Sequence, residues 1–366
     1  MAKAGRKCGG LGVSLVALLA GGWAVAQAPP AAAPAEKPAE QVYKNIQVLK
    51  GMPSTQLIPT MQFMSGSLGV PCEHCHVDPR DSDAKKEKQK ARTMITMVQA
   101  INRDNFEGRS EVTCNSCHHG EPKPATVPAM AQAAWVAQMQ PKPAAPATPT
   151  ADELFARYLK AIGGREAAEA IKTRVYKGTA MGYDGNEEPR PTPFEMYAAA
   201  PSKLLIVTQT PRGAASTAYD GASGWVQTPR DVHAMGTREL DLIRDRVTAF
   251  QVNQLEDYLT TKVAGQEKVN GREAWVVEGT RRGASPVTLW FDAENGLLLR
   301  KRTLVATAFG PAPLETEFSD YRAVGKVKLP FHVTSATLSS AAVREFSEIQ
   351  MNVPVEESRF AMPAGK

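Results

Sequence analysis

The chain has 366 residues, 43% of them apolar and 22% charged, with a formal net charge of +5. That length holds more than one domain, and the composition is that of ordinary globular protein. The mild positive charge is spread along the chain, and no dense Lys/Arg stripe with interleaved aromatics speaks for nucleic-acid binding.

Residues 1–28 read as a secretory signal. Arg6 and Lys7 give a positive start, Leu11 to Leu19 an apolar run, and Ala24-Val25-Ala26 and Ala26-Gln27-Ala28 two small-x-small cleavage sites. The apolar run is short and broken by glycines, so a cleaved signal is expected rather than a spanning helix. Cleavage near Ala26 or Ala28 implies a periplasmic mature chain, free or membrane-associated. It also removes Cys8, one of five cysteines. Residues 29–40, rich in Ala and Pro, read as a disordered tether.

Residues 41–125 form the next unit. Ser54 or Thr55 can cap a helix, Pro59 suits its first turn, and Leu57, Met61, Met64 and Leu68 recur at helical spacing. Gly69-Val70-Pro71 stops it and leads into Cys72-Glu73-His74-Cys75-His76. After the loop Asp78–Asp81, Ser82 or Asp83 can cap a second helix running to about Asn102, with Met94, Met97, Val98 and Ile101 as its inward stripe. The basic run Lys85 to Arg92 is expected on its solvated face. Val112-Thr113 then leads into Cys114-Asn115-Ser116-Cys117-His118.

Both cysteine stretches read C-x-x-C-H, the attachment signature of a c-type haem. Two thiols must reach the two vinyl groups on one porphyrin edge, and the next residue must bring an imidazole to the iron. The four cysteines left after cleavage are the four of these motifs. Cys72, Cys75, Cys114 and Cys117 are therefore expected to hold two haem c groups, with His76 and His118 as iron ligands. A zinc ribbon also uses paired C-x-x-C but does not require His after each second Cys. For the sixth ligand, Met61, Met64, Met94 and Met97 are candidates by chemistry, and core filler is the competing role for each. His74 lies between two thioether anchors and is expected to point outward; His119 is expected to meet a propionate or solvent.

The stretch Met61–Cys72 resembles the helix-then-motif unit of the photosynthetic reaction-centre cytochrome c subunit. Ala91-Arg92-Thr93-Met94-Ile95-Thr96-Met97, Ile101-Asn102 and Val112-Thr113-Cys114 with Cys117-His118 and Gly120 resemble its next unit. The resemblance implies that a Met on each preceding helix ligates the iron. It selects Met61, eleven residues before Cys72, and Met94, directly after Ala91-Arg92-Thr93. Met64 and Met97 then become packing residues. The family's subunits carry four haems where this chain has two motifs, so the likeness is to one half of such a subunit. The segment has few large apolar side chains, so the haems are expected to form much of its core.

Residues 126–150 read as an Ala/Pro-rich linker. From residue 151 to 366 the pattern changes. Thr150 caps a helix bearing Leu154, Phe155, Tyr158, Leu159 and Ile162, closed by Gly163-Gly164. After a second short helix, strands are expected at Arg174–Tyr183, Phe194–Thr210, Ala214–Thr228, Thr261–Thr280, Pro286–Val305, Glu315–Leu338 and Ala342–Val353. Several of these are hairpins, turned at Asp220-Gly221, Asn270-Gly271 and Asn295-Gly296. A helical insert is expected over Glu239 to Leu259. The order resembles the outer-membrane lipoprotein carrier (LolA/LolB-like) half-barrel, which implies an apolar groove for a lipid or a hydrophobic segment. His233 and His332 are expected to be structural.

The whole reads as α+β: an all-α dihaem cytochrome c domain followed by a curved antiparallel half-barrel. The expected role is carriage of single electrons between redox proteins, including a membrane electron-transfer complex, with no catalytic residues. A redox-sensing binding protein and a haem peroxidase are the alternatives.

Overall fold

The computed structural model describes residues 36–124, 148–183, 189–236, 260–280, 286–338 and 340–363, with residues 239, 240, 243, 244, 246 and 247 of the helical insert. The expectations for the signal, most of the tether, the linker over 125–147 and the rest of the insert fall outside these residues. Among the described residues no helix is long and apolar enough to cross a membrane.

The first part is helical: α1 (Ala39–Val42), α2 (Leu57–Leu68), α3 (Lys86–Asn105) and α4 (Cys114–His118). A 3-10 turn over Ser54–Gln56 leads into α2. The stretch read as a tether lends its last residues to this fold. Ala39 is fully buried, and its N–H donates to the Met52 carbonyl at 2.7 Å.

The helical periods are right, and Leu57 and Val98 are buried as expected, but the methionine positions of both stripes are not. In α2 the buried residues are Leu57, Thr60, Phe63 and Ser67, whereas Met61, Met64 and Leu68 are half-buried. In α3 they are Ile95, Val98 and Asn102, whereas Met94 and Met97 stand 41% and 42% exposed. Each helix thus carries two apolar stripes side by side, and the protein core takes the one without methionine.

The start of α3 also differs. It begins at Lys86, because the Asp83 carboxylate faces away from the backbone toward cations. Arg92 meets it at 2.8 Å and Lys88 at 3.2 Å, and Asn45 donates to it at 2.9 Å. Chiefly the Arg92 guanidinium holds the Asp83 carboxyl far below the usual carboxylate range. The Lys85–Arg92 run is therefore not simply solvated: its Lys88 and Arg92 side chains are each 12% exposed, and Lys85 donates to the Glu73 carbonyl.

The second part opens with α5 (Ala151–Ala161) and α6 (Arg165–Glu169). A capping box starts α5: the Glu153 N–H donates to Thr150 Oγ1 at 3.2 Å, and the Thr150 N–H donates to Glu153 Oε2 at 2.8 Å. Thirteen strands follow among the described residues. They are β1 (Thr173–Tyr183), β2 (Thr192–Ala199), β3 (Lys203–Thr210), β4 (Gly213–Tyr219), β5 (Gly224–Gln227), β6 (Val232–Ala234), β7 (Thr260–Val269), β8 (Arg272–Thr280), β9 (Val287–Asp292), β10 (Leu298–Thr307), β11 (Gly310–Val324), β12 (Val327–Ala336) and β13 (Ala341–Met351). They form one antiparallel sheet ordered β6-β5-β4-β3-β2-β1-β13-β12-β11-β10-β9-β8-β7. Two meanders are joined where β1 pairs with β13, Tyr176 opposite Ile349.

This sheet curls around α5. From β4 to β8 a flat sheet would extend roughly 40 Å at ordinary strand spacing. Yet one apolar cluster joins Leu154, Phe155 and Tyr158 of α5 to Tyr219 on β4 and Trp275 on β8. The Phe155 ring packs edge-on against Phe291 at 5.7 Å. Strand alternation assigns the faces: Tyr176, Leu204 and Phe291 point to this cluster, while their neighbours Val175, Leu205 and Trp290 join two smaller clusters on the outer face. The apolar inner face, expected to form a groove, thus packs against the domain's own helix. His233, expected to be structural, has Asp231 at 3.1 Å and Glu239 at 3.3 Å.

Candidate functional site

Two backbone devices set the cysteine motifs in place. Gly69 ends α2 with a left-handed φ of 64°, and a Cβ there would lie 2.0 Å from the Gly120 carbonyl oxygen. Only glycine lets the end of α2 approach the exit of the second motif this closely. The Gly120 N–H donates to the Ser67 carbonyl at 2.8 Å and completes the join. The second device is Asn102, 8% exposed, on α3. Its amide donates to the Val112 carbonyl at 2.7 Å and accepts from the Val112 N–H at 2.9 Å. This two-way bond holds the strand-like lead into Thr113, whose N–H donates to Ser116 Oγ at 3.0 Å and starts α4.

The motifs then fold differently but end alike. Cys72–His74 is a 3-10 turn, whereas Cys114–His118 is an α-helical turn. His76 Nδ1 lies 2.9 Å from the Arg80 carbonyl oxygen, and His118 Nδ1 lies 2.9 Å from that of Glu121. A carbonyl only accepts, so in each ring Nδ1 carries a proton, and in the neutral imidazole Nε2 is the nitrogen that keeps the lone pair. Burial pushes the His76 pKa down. Burial likewise pushes the Cys75 and Cys114 thiols up. No disulfide joins the four cysteines, and among the described residues no group of three or more His, Cys, Asp or Glu gathers as a metal site. The two C-x-x-C pairs therefore do not converge on one four-thiolate cage.

The donor set fits a c-type haem by its own chemistry. Each motif offers two unpaired thiols and one imidazole whose orientation is fixed by a backbone hydrogen bond, the usual outer support of a metal-bound histidine. Met61 and Met64 pack half-buried against the cluster that also holds Cys114. Met94 and Met97 lie exposed on α3, so exposure does not separate them. His74 is half-buried; His119 is exposed, with φ 50°, and caps the end of α4.

Sequence reasoning passed over Asn102 as a support, and over Thr60 and Phe309. Phe309, between β10 and β11, is 3% exposed inside the helical segment's core, beside Leu57, Phe63, Ile95 and Val98. The Ala308 N–H donates to Thr60 Oγ1 at 3.2 Å, and Thr60 is fully buried. The one available signal was a Phe at a hairpin tip, between Ala308 and Gly310, where polar turn residues are the rule.

Comparison with known proteins bears on the first part of the chain. Residues 16–188 match the family described as photosynthetic reaction centre cytochrome C subunit. Cytochrome c-554 of Chloroflexus aurantiacus is 38% identical over 86 residues, covering 21% of this chain and 20% of the relative. The photosynthetic reaction center cytochrome c subunit of Thermochromatium tepidum is 34% identical over 120 residues, covering 31% of this chain and 28% of the relative. The chain thus spans less than a third of the length of either relative, and its first part is cytochrome c-like in sequence. Among solved structures, a LolA superfamily protein from Nitrosomonas europaea covers 58% of this chain and 98% of its own, at 10% identity and a TM-score of 0.43. A DUF1329 family protein from Desulfovibrio piger covers the same shares at 15% identity and a TM-score of 0.45.

Proposed function

We propose that this chain is a periplasmic cytochrome with two covalently attached c-type haems that passes single electrons between redox partners. The observation that carries the reading is the shared end of the two motifs: His76 and His118 each donate Nδ1–H to a backbone carbonyl and leave Nε2 free. Two different backbone conformations, a 3-10 turn and an α-turn, reach the same donor arrangement. That is what covalent attachment followed by axial ligation requires of a chain.

In this reading Cys72 and Cys75, and Cys114 and Cys117, supply the thioether sulfurs. His76 and His118 are the proximal ligands, and the Arg80 and Glu121 carbonyls keep the rings from rotating. When bound, a c-type haem supplies a one-electron iron couple. Met61 and Met94 would supply the thioether ligands to the two irons, and a thioether ligand would raise the potential of the couple. The redox partners include a membrane electron-transfer complex, in keeping with the relatives' names. The chain acts as a carrier rather than as a catalyst.

Haem quantitation of the whole exported protein tests the count: two haems per chain are expected, and one or none overturns the proposal. Reduced protein should also fail to bind carbon monoxide rapidly, and fast binding at both haems would contradict six-coordinate iron. Replacing Met61 or Met94 by His should lower the potential of one haem by a fraction of the roughly 0.8 V that axial ligands span. An unchanged midpoint would show that the wrong methionine was named.

A further inference from the structure

Helix α2 is held at two places by the C-terminal sheet. At the first, the β10–β11 tip lays Phe309 into the cluster with Leu57 and Phe63, and the Ala308 N–H donates to Thr60 Oγ1. The same tip reaches the second motif: a Cβ on Gly310 would lie 3.2 Å from Thr113 Cγ2. At the second, the β12–β13 turn brings Leu338 onto Gly66, where a Cβ would lie 2.7 Å from Leu338 Cβ. Thr60 and Gly66 are six residues apart, about 9 Å along the helix. Two such contacts fix both the height and the rotation of a helix, which one contact cannot do.

The contacts share one side of α2. At about 100° per residue, Thr60, Phe63 and Gly66 fall within an arc of about 120°, and Met61 lies about 160° from its centre. The sheet therefore holds α2 along the Thr60, Phe63 and Gly66 side, and Met61 packs half-buried at the edge of the cluster that holds Phe309. A rotation by one residue would carry Met61 a quarter-turn away and bury Thr60's neighbours instead. The helical segment has few buried apolar residues of its own to resist that rotation.

We propose that the two hairpin tips form a positioning clamp that sets how α2 presents Met61 as an axial ligand, so that the potential of one haem depends on the C-terminal sheet. The proposal rests on the reading of Met61 as a haem ligand. Phe309 and Thr60 are positioning residues: they act through α2 and not on the iron. The clamp also gives the larger domain a part in electron transfer that its own residues, which carry no redox group, do not otherwise have.

Redox titration of the full-length, haem-loaded protein tests this, read together with the near-infrared band of methionine-ligated oxidised haem. Phe309→Ala is expected to shift one midpoint and to remove up to half of the band, with two haems still attached. Phe309→Leu should restore both. Thr60→Val keeps the side-chain shape and loses only the hydroxyl, and should shift the same midpoint by less. If Phe309→Ala cannot be recovered with haem, Thr60→Val decides: a shift confined to one haem supports the clamp, and two unchanged midpoints overturn it. Met61→Ala separates the premise from the inference. A band untouched by Met61→Ala would overturn the ligand assignment and the clamp with it. A band halved by Met61→Ala but untouched by Phe309→Ala and Thr60→Val would overturn the clamp alone.

Discussion

Among the described residues, the helical segment 36–124 is built on eight buried apolar residues, one of which, Phe309, is lent by the sheet; the sheet and its helices bury thirty around α5. The two regions thus differ in what holds them. The sheet carries a core of ordinary size for its length, with aromatic pairs at its centre. The helical segment is about as long as a small domain but has a much smaller apolar cluster. Small domains of this kind rely on staples, and four cysteines bonded to two haems would be such staples. One region is specified by its apolar pattern; the other, on the proposed reading, by covalent chemistry plus a borrowed hairpin.

The most severe way to break that comparison is to remove the staples. Replacing Cys72, Cys75, Cys114 and Cys117 by Ser should abolish the haem absorbance and melt most of the helix of 36–124, while the sheet persists. Far-UV circular dichroism and limited proteolysis would read the two regions separately. Native-like helix content in this variant would show that the segment folds without haem.

The converse test empties the other core. Phe291 is fully buried and touches both Phe155 and Tyr158. Phe291→Ala should cost about 3–5 kcal/mol, seen as a lower urea midpoint of the sheet's transition. The haem spectrum of the native protein should stay unchanged, since the cavity lies on the inner face of the sheet. A loss under 1 kcal/mol, against the about 3 kcal/mol lower bound for such truncations, would mean that this core is looser than its geometry implies.

A third test uses pH. Burial pushes the Tyr158 hydroxyl up to about 12, and it pushes Tyr321 well above its usual value too. A raised pKa means that the fold favours the neutral phenol. That contribution is complete below about pH 10, where the unfolded phenol begins to ionise, and is lost as pH rises toward about 12. For Tyr158 alone it amounts to about 2–3 kcal/mol across that window. The urea midpoint of the sheet should fall over this range, and Tyr158→Phe should flatten the fall. A midpoint that is level throughout, in the parent protein, would contradict the burial.

The same contrast governs how much could be read from sequence. The C-x-x-C-H spacing is local chemistry and is legible without a fold. The hairpin turns were legible for the same reason: Asn270 and Gly271, for example, both take positive φ and join β7 to β8. The helices of the first segment were legible as periods but not as faces, because α2 and α3 each carry two adjacent apolar stripes and spacing alone does not say which one meets protein. Asp83 looked like a helix cap because its type suits one, and the Arg92 and Lys88 cations that claim it lie a turn or more further on. The Thr60–Phe309 junction was the least legible, with an apolar residue at a hairpin tip as its one signal. Its partners are far apart in sequence, and a buried threonine hydroxyl bonded to a hairpin N–H leaves no apolar signature.

The smallest effect tests whether the two regions stand or fall together. Thr150 starts α5 through the capping box with Glu153. Thr150→Ala should cost about 1 kcal/mol, the usual loss for an N-cap side chain. If the helical segment depends on the clamp at Thr60 and Gly66, unfolding the sheet releases α2, and the haem-monitored transition should move down with the sheet's. Absorbance and far-UV circular dichroism recorded in one urea titration would then give coincident midpoints, both lowered. A haem transition that stays in place while the sheet's falls would show that the segment, once stapled, holds without the hairpins.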